Sequence, residues 1–351
     1  MTSPAYGLEC PVPFAAAGRV QLGHGSGGKL SAQLLREHFL PRFGNPYLDR
    51  LDDAAVVPVR GETVAVSTDT FVVSPLEFPG GNIGSLAVHG TLNDLAMMGA
   101  RPEYLAAAFV LEEGLQFELL DRVLDAMAAA AAAASVTVVS GDTKVVDRGK
   151  ADGLYITTTG IGLLDVAFRP APDRAGVGDV VLISGPIGRH GMAIMAAREG
   201  IALETELTSD SANLTPLVER LRAAVGAEVH VLRDPTRGGV ASALNEIAAA
   251  SGTGIRLEEQ LFPIPAAVAA ACEILGLDPL YVANEGVLVA LVSDHAAEAA
   301  LVALRSHPLG ASACRIGCVT DAHPRLVVLR TQLGGSRIVD MLPGDQLPRI
   351  C

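Results

Sequence analysis

The 351-residue chain contains no tryptophan, and its aromatic residues amount to 4%. That poverty removes base-stacking platforms as an organising theme. Positive charge is scarce as well: 26 Lys and Arg face 39 Asp and Glu, a net charge of −13. Such a field repels phosphate backbones and anionic lipid, which argues against nucleic acid and acidic membrane surfaces as partners. No apolar run reaches the roughly 18 residues of a membrane span. The opening MTSPAYGLECPVP lacks the basic-then-apolar order of a signal peptide. Cysteines number five, at positions 10, 272, 314, 318 and 351, too few and too scattered for a disulfide framework. The expected setting is a reducing cytoplasm.

What is present reads as a folded globular protein, half apolar and 19% charged. At about 100–200 residues per domain the length predicts two domains. Residues 1–18 read as a loose N-terminal extension. Residues 19–169 form the first expected domain, with strands over Arg19–Leu22, Val56–Val59, Thr63–Ser67, Leu105–Leu111, Val136–Ser140 and Leu154–Gly162. Its helices fall over Ser31–Phe39, Ile83–Met98 and the Ala-rich Leu115–Ala134. The Pro/Gly-bearing stretch Pro170–Asp179 marks the boundary. In 170–342, strands at Val180–Ser184, Leu288–Val292 and Arg315–Thr320 lie among helices at Gly191–Glu199, Leu214–Val225, Val240–Ala250, Ala266–Leu275 and Ala296–Arg305. Strand and helix mix without strict alternation, so the expected class is α+β. Residues 343–351 carry two prolines and one glycine without period, and read as a mobile tail.

Four groups of residues carry candidate chemistry. The run His24, Gly25, Ser26, Gly27, Gly28, Lys29 has P-loop spacing, but Leu30 stands where a Mg²⁺-binding hydroxyl belongs, so a Walker-type site is rejected. The run fits either a phosphate cradle of backbone N–H groups or a plain turn. Acidic residues recur in short Gly/Thr-rich contexts: Asp52 and Asp53, Asp69 after a strand, Asp94 beside Asn93 in a helix, Asp142 at a strand end before Thr143, and Asp234 in DPTRGG. Each alone also fits a turn or a helix cap. Five such segments together suit Mg²⁺ and a nucleoside triphosphate, with positioning and charge neutralisation as the catalytic means.

Lys144 and Glu285 fit either surface charges or an oxyanion-orienting and proton-removing pair. Cys351, the last residue, lies beside its own carboxylate, which does not lower a thiol pKa. It fits either an incidental terminus or a carrier that another enzyme loads; nine extended residues reach about 30 Å. Cys314 and Cys318 lack a second ligand pair and read as packing.

The segments HGSGGK, STDTFVVSPLEFPGGNIG, TLNDLAMMGARP, VVSGDTKVV, DPTRGGVASALNEIA, FPIP, YVANEG and the terminal LPRIC together resemble the carbamoyl dehydratases of nickel–iron hydrogenase maturation. The likeness runs from about Val20 to Cys351. The internal motifs point only to the wider aminoimidazole ribonucleotide synthetase-like superfamily, which includes thiamine-monophosphate kinase and selenophosphate synthetase. The terminal Pro348-Arg349-Ile350-Cys351 is the specific element.

The resemblance implies two α/β-sandwich-like domains, with the N-terminal sheets pairing into a barrel in a homodimer. It implies ATP and Mg²⁺ held by Asp53, Asp69, Asp94 and Asp234, with Asp52 and Asn93 adjacent, and phosphates covered by the Gly25–Gly28 loop. Lys144 and Glu285 then handle the carbamoyl group. Cys351 is the thiol that a carbamoyltransferase loads, and an iron-scaffold maturation complex accepts the cyanide. The expected activity is ATP-dependent dehydration of S-carbamoyl-Cys351 to a thiocyanate. The alternatives are a small-molecule kinase or synthetase of the superfamily and a non-enzymatic carbamoyl carrier. A selenophosphate synthetase places a cysteine or selenocysteine in the Gly-rich loop, where this chain has Ser26 and Gly27.

Overall fold

A computed structural model describes residues 28–201, 207–342, 344, 347 and 349–351. The expected N-terminal extension, the strand at 19–22, Cys10 and the loop residues His24, Gly25, Ser26 and Gly27 lie outside these. Described structure begins with Gly28 opening α1 (Lys29–Leu34), which runs through a π turn at Leu35–Phe39 into α2 (Leu40–Phe43). Lys29, the lysine of the Gly-rich run, is tied to Asp340 at 2.5 Å.

The N-terminal half holds β1 (Ala55–Val59), β2 (Glu62–Phe71), the two-residue strands β3 (Glu77–Phe78) and β4 (Gly81–Asn82), α3 (Ile83–Met97), β5 (Ala100–Glu112), α4 (Phe117–Ala133), β6 (Thr137–Val146) and β7 (Leu154–Leu164). Five of these strands form one sheet in the order β1-β2-β7-β5-β6. Helix α3 starts where the Asn82 side chain accepts the N–H groups of Gly84 and Ser85 while the Ser85 hydroxyl returns to residue 82, a reciprocal cap. The helix packs on one face of the sheet, and Val88, Leu92, Leu105 and Met127 fill the seam with α4. The opposite face leaves Tyr104, Ile161 and Leu163 exposed, with hydroxyl pairs Thr68–Thr159 and Thr70–Thr157 across β2 and β7.

Two expectations change here. Strand β5 begins at Ala100 and passes through Pro102, because a register shift between Pro102 and Tyr104 takes up the missing N–H. Strand β6 does not stop at Ser140. It runs in parallel register with β5 to Val146, so Asp142 is a strand residue and not the end of one.

The C-terminal half is a seven-stranded sheet in the order β14-β13-β10-β12-β8-β11-β9. Its strands are β8 (Val180–Ile183), β9 (Val229–Arg233), β10 (Gly254–Glu258), β11 (Val289–Val292), β12 (Cys314–Thr320), β13 (Val327–Arg330) and β14 (Ser336–Val339). The helices are α5 (Arg189–Glu199), α6 (Thr215–Val225), α7 (Gly239–Ser251), α8 (Ala266–Leu275) and α9 (Ala297–Arg305). The unbroken apolar runs VVLI and VALV of β8 and β11 are buried on both faces, as a sheet covered on both sides requires. Val181, Ile183, Val289 and Leu291 face α7, while Leu182, Ala290 and Val292 face α6 and α9. Ala96 and Met97 of α3 join that second cluster, which locks the two halves together.

Candidate active site

Four acidic residues converge where the halves meet. Alternation along β2 sends Ser67 and Asp69 to the face that carries α3 and Thr68 outward. Ser67 Oγ donates to Asp94 Oδ2 at 2.6 Å, and Asp69 hydrogen-bonds the same carboxyl. Carboxylate oxygens of Asp53, Asp94 and Asp234 lie within 4.8 Å of one another. Burial, then Asp69 and Asp234, push the Asp94 carboxyl well above the usual carboxylate range. Burial lifts Asp234 to about 6 against the opposing pull of Arg233.

Asp234 Oδ2 is buried with no hydrogen-bond partner among the described residues. Hard oxygen donors, crowded negative charge and an orphaned lone pair are what a divalent oxygen-seeking cation satisfies. Arg233 bridges Asp53 and Glu246, which fixes Asp53 in place. Asp52, one residue earlier, turns instead to Arg50 at 2.6 Å.

Glu285 is 2% exposed, so the surface-charge alternative is gone. Its N–H donates to Asp210 Oδ1 at 3.1 Å and its C=O accepts from Ala212 N–H at 3.2 Å. A Cβ on Gly90 would sit 3.9 Å from Glu285 Oε2. Glu285 therefore reaches α3 one turn before Asp94, on the same helical face. Burial first, then Asp234 and Asp210, drive its carboxyl well up. The Asn93 amide donates to the C=O groups of Ala212 and Glu285 and accepts from Leu214 N–H, tying α3 to Glu285 and the loop below it.

The described tail residues are docked, whereas the sequence predicts a mobile arm. Val72 N–H donates to a Cys351 oxygen at 3.1 Å and Ser74 N–H to Arg349 C=O at 3.3 Å, extending the chain that leaves β2. Ile350 is 2% exposed among Phe71, Val73, Ile83 and Ala283. Cys351 is thereby half-buried beside Arg237. Cys351 is the largest influence holding the Arg237 guanidinium above its ordinary range, followed in the same sense by Asp69, Glu285 and Asp94. The charges at the chain end, the buried glutamate and the acidic cluster thus all favour the Arg237 cation. Arg237 lies in the quoted DPTRGG segment, yet sequence reasoning did not single it out. The glycines after it carry the signal: at Gly239 (φ +61°) a Cβ would lie 2.5 Å from Leu280 C=O, so the turn that starts α7 has no room for a side chain.

Asp142, Thr143 and Lys144 are exposed on β6. Lys144 Nζ contacts Asp142 at 2.6 Å, and among the described residues it touches neither Glu285 nor the acidic cluster. Burial and geometry separate these three from the site within a single chain.

Comparison with known proteins identifies the family. The family described as AIR synthase related protein matches with its N-terminal domain over residues 51–164 and its C-terminal domain over 176–328. The carbamoyl dehydratase HypE of Bradyrhizobium diazoefficiens is 54% identical over 335 residues, 95% of this chain and 96% of its own length. That of Escherichia coli is 47% identical over 337 residues, 95% and 99%. A solved structure of HypE in complex with ATP superposes at a TM-score of 0.80 with 49% identity, covering 93% of this chain and 98% of that one. HypE in a HypE–HypF complex superposes at 0.84 with 47% identity, covering 88% and 99%. A thiamine monophosphate kinase from Aquifex aeolicus shares the fold at 0.63 with 18% identity, over 88% of this chain and 99% of its own. Paired AIR synthase related domains, and identity near one half along almost the whole length, place the chain in the HypE family of carbamoyl dehydratases.

Proposed function

We propose that this chain uses ATP to dehydrate an S-carbamoyl group on its own Cys351, yielding the thiocyanate Cys–S–C≡N as a cyanide donor for hydrogenase iron. The observation that carries this reading is that Val72, three residues after Asp69, holds a Cys351 oxygen at 3.1 Å, which brings the chain end to the strand that carries part of the acidic cluster. A carbamoyl oxygen is a poor leaving group. The γ-phosphoryl of ATP transfers to it, releasing ADP; the C–O bond then breaks with loss of phosphate as C≡N forms, and the nitrogen gives up two protons.

Asp53, Asp94 and Asp234 are the residues that fit Mg²⁺, with Asp69 supporting Asp94. A bound Mg²⁺ supplies charge neutralisation at the phosphates. Asp52 and Asn93 act beside this set as positioning residues. Gly28, at the N-terminus of α1, and the Gly-rich residues before it are the candidate phosphate cover. Glu285, with its raised proton affinity, takes an N–H proton. Arg237 holds the developing oxyanion side in place. The HypE–HypF complex supports a carbamoyltransferase as the enzyme that loads Cys351, and an iron-carrying maturation complex takes the cyanide.

The exposed face of the first sheet and its open edge β6, with Val138, Val139 and Val145 exposed, support pairing with a second copy. Asp142, Thr143 and Lys144 are covered in that homodimer, and Lys144 enters the reacting centre only there.

Intact-mass spectrometry tests the reading. Wild type and Cys351→Ala are incubated with the carbamoyltransferase and carbamoyl phosphate, then with Mg-ATP. The expected result is an adduct on wild type alone that loses one water only after ATP. An adduct indifferent to ATP makes the chain a carrier; no adduct at all returns the small-molecule kinase.

A further inference from the structure

We propose that His190 and Arg198 of α5 are positioning residues that set the Cys351 thiol at the reacting centre by holding the backbone carbonyls of Arg349 and Ile350. This rests on the function proposed above and names residues outside every segment that carried the family resemblance.

His190 is wholly buried. Its Nε2 lies 2.9 Å from the Ile350 carbonyl. A carbonyl only accepts, so Nε2 carries the hydrogen. In the neutral ring Nδ1 then accepts from the Ser209 hydroxyl at 2.8 Å, while Ser209 Oγ accepts the Ser211 N–H at 3.0 Å. Burial lowers His190 to about 4, which keeps this tautomer at neutral pH. Phe78 meets the ring edge-on at 5.7 Å. Arg198 Nη2 donates to Arg349 C=O at 2.7 Å and to Ser74 C=O at 2.7 Å, so one guanidinium joins the tail to the segment it lies along.

The two residues lie eight apart on α5 with Ile194 midway. Positions i, i+4 and i+8 form one stripe. Ile194 packs in the cluster that buries Ile350. The stripe therefore presents a donor, an apolar contact and a second donor to three successive features of the tail. Recognition falls on carbonyls and one isoleucine. The clamp also shares a loop with the base: Ser209 holds His190, and the next residue, Asp210, holds the Glu285 N–H.

A docked thiol is placed for dehydration and withheld from the loading enzyme, so weakening the clamp must affect the two half-reactions in opposite directions. A merely structural role slows both.

The test compares wild type, His190→Phe (ring kept, donor lost), His190→Gln (amide donor restored) and Arg198→Met. The first readout is alkylation of Cys351 by iodoacetamide, resolved by peptide mass. Faster alkylation on the order of tenfold is expected for His190→Phe and Arg198→Met, the ratio one buried hydrogen bond implies. The second readout is the single turnover: carbamoyl loading no slower than wild type, water loss after Mg-ATP slower by about tenfold, and partial recovery in His190→Gln. Wild-type alkylation in both donor-less variants, or equal slowing of loading and dehydration, overturns the clamp. If carbamoylated wild type loses no water, the proposed function fails instead, and the alkylation rates still decide the clamp.

Discussion

Ser67 on β2 donates its hydroxyl to Asp94 on α3 at 2.6 Å, a contact that favours the charged form of that carboxylate against burial and two neighbouring acids. The cluster is built for charge it cannot neutralise by itself. Asp94→Asn keeps the amide oxygen for Ser67 and removes one of the repelling charges. The apo variant is expected to melt no lower than wild type by scanning fluorimetry. Its ATP-dependent water loss by mass spectrometry is expected to fall at least about a hundredfold, since metal-held charge stabilisation is worth several kcal/mol.

Arg237 answers Cys351, Asp69, Glu285 and Asp94 together. Arg237→Gln leaves buried carboxylates uncompensated, a change that costs about 3–5 kcal/mol when one member of a buried pair is removed. A lower urea midpoint and loss of water elimination are expected. Arg237→Lys keeps the charge without the planar fork and restores stability more than rate.

At Gly286 a Cβ would lie 1.7 Å from Asp210 C=O, a contact only backbone movement relieves. Gly286→Ala is expected to destabilise by about 1–3 kcal/mol through overpacking. It shifts Glu285 as well, so the dehydration rate falls more than carbamoyl loading does. Equal loss in both steps would detach Gly286 from the base.

His89 and His190 are each lowered to about 4 by burial. An unfolded histidine takes its proton near 6.5. The unfolded chain therefore binds protons that the folded chain refuses, and this share of stability, complete above about pH 6.5, is lost as pH falls toward 4. Near pH 5 the loss is about 2 kcal/mol per histidine. Asp210 and Asp234, raised to about 6, act with the opposite sign, because their folded forms take protons first. In urea titrations from pH 7.5 to 5, the stability gap between wild type and His190→Phe is expected to narrow with acid. A constant gap would mean that His190 takes its proton equally readily folded and unfolded.

Local signals were legible in the sequence. The helix expected over Ile83–Met98 is α3, and the structure closes it within one residue of the expected end; its Asn82 cap was not read from the sequence. The segments Val180–Ser184 and Leu288–Val292 read as strands, and the structure has strands there, buried on both faces. Strands β9, β10, β13 and β14 were not legible: none is an unbroken apolar run, β9 and β10 are held by strands distant in the chain, and β14 pairs with β13 across a short turn.

Residue type by itself offered carboxylates that suit a cation, a glutamate as a candidate for proton transfer and a thiol at Cys351. Tertiary structure alone decided which of them meet. Asp52 and Asp53 are neighbours in sequence, yet one turns to Arg50 and the other to Arg233, 180 residues away. Glu285 and Lys144 read alike, as surface charges or as a catalytic pair, but the meeting of the two halves buries the first, and β6, at the sheet edge among the described residues, leaves the second in solvent. The tail carries no periodic signal because its order comes from His190, Arg198 and the segment after β2, contacts that span 151 to 160 residues on α5. Such contacts are specified by the burial of distant surfaces against one another, which no local window of sequence contains.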